Sequence, residues 1–147
     1  MFSILPTQLG AGAMFVVCGV ALWMGGRLER LLAVATMLAW VGSALAEIED
    51  KSLTQWGIFA IDLVYLSVLV GLTLFDRRIW LLFMTAFQLL IVLTHVAFAL
   101  DHSLRQWGFF SAYYLWSYAE LVAFAAGLAA LAWRRRRARS TGRATKA

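Results

Sequence analysis

The chain has 147 residues, of which 63% are hydrophobic and 14% charged, with a net charge of +5. Soluble domains are about 45–50% apolar and about 25% charged; this excess excludes a single core surrounded by water and makes a bilayer the natural solvent. The positive charge does not point to nucleic acid, because seven of the thirteen basic residues lie in 134–147, directly after an apolar run.

Five apolar segments follow in chain order, at 8–25, 31–46, 56–75, 79–100 and 108–133. Each approaches the ~20 residues that cross ~30 Å of hydrocarbon. The expected fold is all-α, a polytopic bundle of five transmembrane helices forming one domain over 1–133. The first segment lacks charge and a basic leader region, which predicts a permanent helix rather than a cleaved signal. Its lone Cys18 allows no intrachain disulfide and no thiolate metal cluster. The second segment is the shortest, and full insertion is least assured there.

The connections set the expected orientation. Arg27 and Arg30 fall in the first loop, Arg77 and Arg78 in the third, and Arg134, Arg135, Arg136 and Arg137 open the tail. The second and fourth loops hold only Lys51 and Arg105 against Glu47, Glu49, Asp50 and Asp101. Basic residues concentrated on alternate loops predict an outer N-terminus and a cytoplasmic C-terminus. Trp23, Trp80 and Trp133 then mark inner ends, and Trp56 and Trp107 outer ends, as interfacial rings do. The tail 134–147 is expected to touch anionic lipid through its arginines, with 140–147 disordered for want of any apolar pattern.

An internal repeat crosses the outer loops. Residues 50–59 read DKSLTQWGIF and residues 101–110 read DHSLRQWGFF, agreeing at seven of ten positions with an offset of 51. A duplicated hairpin, helices two and three repeated as four and five, explains this, with an axis along the membrane normal. Convergence of two tight loops on a helix cap and an interfacial tryptophan is the other explanation. Either way helices two and three should pair, as should four and five, leaving helix one as the odd element.

Ionisable groups inside a span cost about 2.5–3.5 kcal/mol on insertion scales, so each needs a partner or water. Asp62 in helix three, His95 in helix four and Tyr113 in helix five lie at similar depths below the outer interface. Gln88 lies two turns below His95 on one helical face, and Glu120 two turns below Tyr113. Gln88 and Glu120 are therefore expected to meet near the midplane, with Ser117 just above and Asp101 and His102 at the outer mouth. The stripe offers either a ligand- or proton-accessible site or packing glue between helices. It stops inward, because 121–132 carries no polar side chain and the inner half of helix four offers only Thr85. Glue or a dead-end site is thus preferred over a conduit.

Other chemistry is sparse. His95 and His102 share a helix face, whereas two axial haem ligands approach from opposite sides, so no cofactor is expected. No zinc motif, nucleophile elbow or phosphate loop is present, and no catalytic residue or metal site is assigned. Ala119, Ala123, Ala126 and Ala130 in helix five, with Gly10, Gly12 and Gly19 in helix one, would let helices approach closely, within the bundle or between subunits.

Phe87-Gln88-Leu89-Leu90, Val92, Thr94-His95, Asp101 and Trp116-Ser117-Tyr118 carry a resemblance to small uncharacterised inner-membrane proteins of Gram-negative bacteria. It covers roughly residues 58–130 and its motifs are moderately specific. The resemblance implies a bacterial inner-membrane location and brings no activity with it. Such proteins often follow Trp-Ser-Tyr with proline, whereas Ala119-Glu120 stands here, which marks Glu120 as this chain's own feature. The sequence thus predicts a non-enzymatic accessory or interaction subunit, binding membrane partners or a small ligand through its outward polar layer. A small oligomeric transporter coupled to protons or a solute is the alternative. The expected partners are anionic lipid and another membrane protein or a second copy, with no nucleic acid.

Overall fold

A computed structural model describes the backbone of residues 4–49, 56–101 and 106–144, and the side chains within 8–46, 56–101 and 107–138. It is built of five helices: α1 (Ile4–Met24), α2 (Arg27–Glu49), α3 (Trp56–Phe75), α4 (Ile79–Leu100) and α5 (Gln106–Ala144). No strand occurs among the described residues. Helices α2 to α5 each contain a stretch long and apolar enough to cross a membrane, while the described apolar stretch of α1, Gln8–Met24, is shorter. By length and composition the chain is a multi-pass membrane protein. Helices are the expected solution, because a spanning segment must satisfy its backbone hydrogen bonds within itself.

α3 and α4 coincide with their expected spans, whereas α2 is longer at both ends. Arg27 and Arg30 lie in its first turn rather than in a loop. The reason is Glu29, whose Oε2 accepts the backbone N–H of Gly26 at 2.8 Å, half of a capping box that starts the helix ahead of the charges. Gly25 makes the α1–α2 corner possible. A Cβ there would stand 2.2 Å from the Ala21 carbonyl oxygen, and no other residue type fits such an approach.

The helices touch in chain order, α1 to α2, α2 to α3, α3 to α4 and α4 to α5, and a contact between α1 and α5 closes the ring. The expected pairs are present, with α4 and α5 the most extensive, but α1 is a full member that completes the ring. At Gly127 a Cβ would lie 2.4 Å from Trp80 Cδ2, so the indole sits directly on the α5 backbone. It also stacks on Phe124 at 5.8 Å. Trp80, at the start of α4, is thus half-buried against the bundle, unlike Trp23, which is 85% exposed. Of the helix-one glycines, only Gly10 lies at a close approach, where a Cβ would stand 3.1 Å from Trp40. Gly12 and Gly19 face open space. Ala123 is buried while Ala126 is exposed, so the alanine stripe is only partly an internal seam.

One end of the ring collects the basic residues and is tied across three helices. Arg78 pairs with the buried Glu29 and also with Asp76, its Nε lying 3.0 Å from Oδ2. Arg135 donates to the carbonyl of Met24 at the end of α1, and Arg137 stands 3.8 Å over the Trp133 ring. Beyond the expected end of its apolar span at Trp133, α5 runs on to Ala144, so the disorder expected from residue 140 is not found as far as that residue. Alanine and arginine are good helix formers, and no proline intervenes to stop the helix. Its 39 residues span about 58 Å, well beyond a ~30 Å hydrocarbon layer.

Beside this basic end the interior is apolar and dense. Leu32, Leu69, Leu81, Met84, Phe124 and Cys18 are almost wholly enclosed. Dense packing and van der Waals contact hold this half together, since lipid supplies little hydrophobic drive between helices.

Candidate functional site

Toward the opposite end the ring opens into a cavity of about 120 Å³, lined from α2, α3, α4 and α5. Asp62, Tyr65, Gln88, Ser117 and Glu120 supply polar groups to it, and Trp40, Phe109, Phe110, Tyr113 and Tyr114 supply rings. The apolar half described above forms its floor, so the cavity is blind toward the basic end.

Asp62 is the hinge of the polar layer. Gln88 and His95 stand two turns apart on the same face of α4, and the Asp62 carboxyl reaches between them. The Gln88 amide donates to Asp62 Oδ1 and to the Asp62 carbonyl, both at 3.1 Å. His95 Nε2 lies 3.2 Å from Asp62 Oδ2. An aromatic box holds the imidazole: Phe109 at 5.1 Å and Tyr113 at 5.6 Å, both edge-on, and Phe59 at 5.8 Å. The expected outer layer of Asp62, His95 and Tyr113 is thus brought together.

The inner layer differs from expectation. Gln88 turns to Asp62 and not to Glu120, because the α4 face carrying it packs against α3. Glu120 instead hydrogen-bonds the Tyr65 hydroxyl. That hydroxyl also shares a 2.7 Å hydrogen bond with Thr36 of α2, which in turn donates to Leu32 O at 2.8 Å. Ser117 lines the cavity, but its hydroxyl donates back to Tyr113 O at 2.9 Å. Asp101 is exposed at the end of α4 and is not part of the lining. His102 lies outside the described residues, as does much of the repeated motif, at 50–55 and 102–105.

Tyr65, Thr36 and Trp40 escaped the sequence reading. Tyr65 follows Asp62 by three residues and so shares its face, a signal that was available. Nothing local distinguishes Thr36, because a threonine commonly bonds its own helix backbone. Glu29, in the first turn of α2, was also passed over, although it is as buried as any site residue.

Most of these groups are satisfied, but four buried atoms are not. Asp62 Oδ2, both ring nitrogens of His95, and Glu120 Oε1 have no hydrogen-bond partner among the described residues. The His95–Asp62 approach is close without being aligned as a hydrogen bond. An unsatisfied buried polar group costs about 1–3 kcal/mol, and hydrocarbon offers no relief. Their clustering beside an unfilled volume is therefore the chemical signature of the site. With each water taking a share of ~30 Å³, the cavity has room for about four waters or one small ligand. No group of three or more metal-ligating side chains stands together among the described residues.

No protein-family model, curated protein or solved structure matches the chain.

Proposed function

We propose that the protein is a multi-pass protein of a bacterial inner membrane, with its N-terminus outside and its basic end in the cytoplasm. It acts as a non-enzymatic accessory or interaction subunit whose intramembrane cavity holds a small ligand. The observation that carries this reading is Glu120, which lines the cavity and whose buried Oε1 has no hydrogen-bond partner among the described residues. Packing glue would consume its polar groups, as Thr73 and Thr85 do in their 2.7 Å bond between α3 and α4. The orientation rests on the arginines gathered at one end. A duplicated hairpin is supported by residues at the offset of 51: Trp40 and Ile91, Ile58 and Phe109, and Asp62 and Tyr113 all line the same cavity.

The transport alternative draws on the Thr73–Thr85 pair, which continues polarity toward Arg78 and Glu29. However, Leu69, Met84 and Phe124 are wholly or almost wholly enclosed in that half, which favours a dead end. Native mass spectrometry of the protein extracted gently from its own membranes tests the reading. A small molecule retained at fixed stoichiometry, and lost on Glu120→Gln, is the expected result. A bare protein, together with ion or solute flux across reconstituted vesicles, would replace this reading with transport.

A further inference from the structure

We infer that the ligand is an organic monocation bearing an ammonium group, received between the carboxyls of Asp62 and Glu120 and the aromatic wall; this rests on the ligand-binding reading above. Two carboxyls line the cavity, and no lysine or arginine among the described residues does. His95 Nε2 stands 3.2 Å from Asp62 Oδ2, whereas no basic side chain among the described residues pairs with Glu120. Glu120 is 5% exposed, and its Oε1 has no hydrogen-bond donor among the described residues. An anion would meet two carboxyls with no lysine or arginine among the described lining residues to receive it.

The Ser117 hydroxyl is already committed to Tyr113 O, and the Gln88 amide to Asp62. Beside the hydroxyls of Ser43 and the tyrosines, the cavity offers chiefly carboxylate oxygen and ring face. Trp40, Tyr65, Phe109, Phe110, Tyr113 and Tyr114 all line the cavity, and aromatic faces attract ammonium groups through their quadrupoles, most strongly where water is excluded. A hard metal ion calls for six or more oxygen ligands, or keeps its waters, and does not use aromatic walls. Both arguments select an organic cation. The ammonium group can belong to a free amine or to a lipid headgroup.

The test uses the full chain in lipid nanodiscs made only of phosphatidylglycerol. Choline and ethanolamine are titrated beside their neutral isosteres, 3,3-dimethylbutan-1-ol and propan-1-ol, with calorimetry as the readout. At least one cation should bind saturably and tenfold or more tighter than its isostere, and Glu120→Gln should weaken it at least tenfold. Should that variant fail to fold by circular dichroism and gel filtration, Phe110→Leu keeps the acid, removes one ring and should weaken binding several-fold. Equal binding of cation and isostere, no binding of either cation, or unchanged binding in the folded variant overturns the assignment. Repeating the titration with phosphatidylethanolamine present separates the sources: lost binding of the free amine marks the headgroup as occupant, retained binding marks a free amine. Native mass spectrometry separates the two levels of the argument. A retained neutral or anionic molecule removes the cation and leaves the binding cavity, whereas neither a retained nor a titrated ligand removes both.

Discussion

Two buried glutamates divide this molecule. Glu29 is 2% exposed and Glu120 is 5% exposed, yet their surroundings are opposite. Glu29, at the basic end, caps the start of α2 through Gly26 and pairs with Arg78, so both carboxyl oxygens are engaged. Glu120, which lines the cavity, shares one hydrogen bond with Tyr65 and leaves its buried Oε1 without a partner among the described residues. The comparison teaches that burial of a charge-bearing group does not itself mark function. A group whose bonds are complete is part of the frame, and one held in place but left incomplete is available to a ligand.

The largest effect that would sharpen this contrast is expected from Glu29→Ala. Removing one partner of a buried ion pair costs about 3–5 kcal/mol. Arg78 is a third exposed and keeps Asp76, so about 3 kcal/mol is expected, read as loss of the folded fraction in a denaturant titration in mild detergent. A change below 1 kcal/mol would place Glu29 outside the frame.

Next is Gly127→Ala, whose Cβ would stand 2.4 Å from Trp80. Overpacking of this kind costs about 1–3 kcal/mol. Thermal unfolding should fall while ligand binding is kept; unaltered stability would show the basic half to be loosely packed. Thr73→Val removes the hydroxyl bridge to Thr85 and should cost only about 0.6 kcal/mol, the average for such bonds between membrane helices. The smallest stability change belongs to Glu120→Gln, within ~0.5 kcal/mol of the parent, because substitutions that break no completed bond do little. Its effect should be on bound ligand alone. If Glu120→Gln destabilises as much as Glu29→Ala, the two glutamates do the same work and the comparison collapses.

The contrast was only half legible in the residues. Asp62, His95 and Tyr113 fall at matching depths on three helices, and simple helical arithmetic brought them together. The same arithmetic set Gln88 beside Glu120, and both line the cavity, but the Gln88 amide bonds Asp62, because depth says nothing about which neighbour a face meets. Gln88 faces α3, and Tyr65, a ring among many apolar residues, is what reaches Glu120. Glu29 escaped notice because it sits between two arginines and reads as part of a charged loop.

Residue type and periodicity alone determined that the chain forms apolar helices suited to a membrane, and nearly where two of them begin and end, since each helix satisfies its own backbone and answers to local hydropathy. The closed ring, the engagement of α1 with α5, the capping of α2 and the rotation of each helix were settled only in three dimensions. Those features depend on side chains far apart in sequence, Glu29 with Arg78, Gly127 with Trp80 and Tyr65 with Glu120. Such meetings follow from helix order and rotation, which local periodicity does not encode.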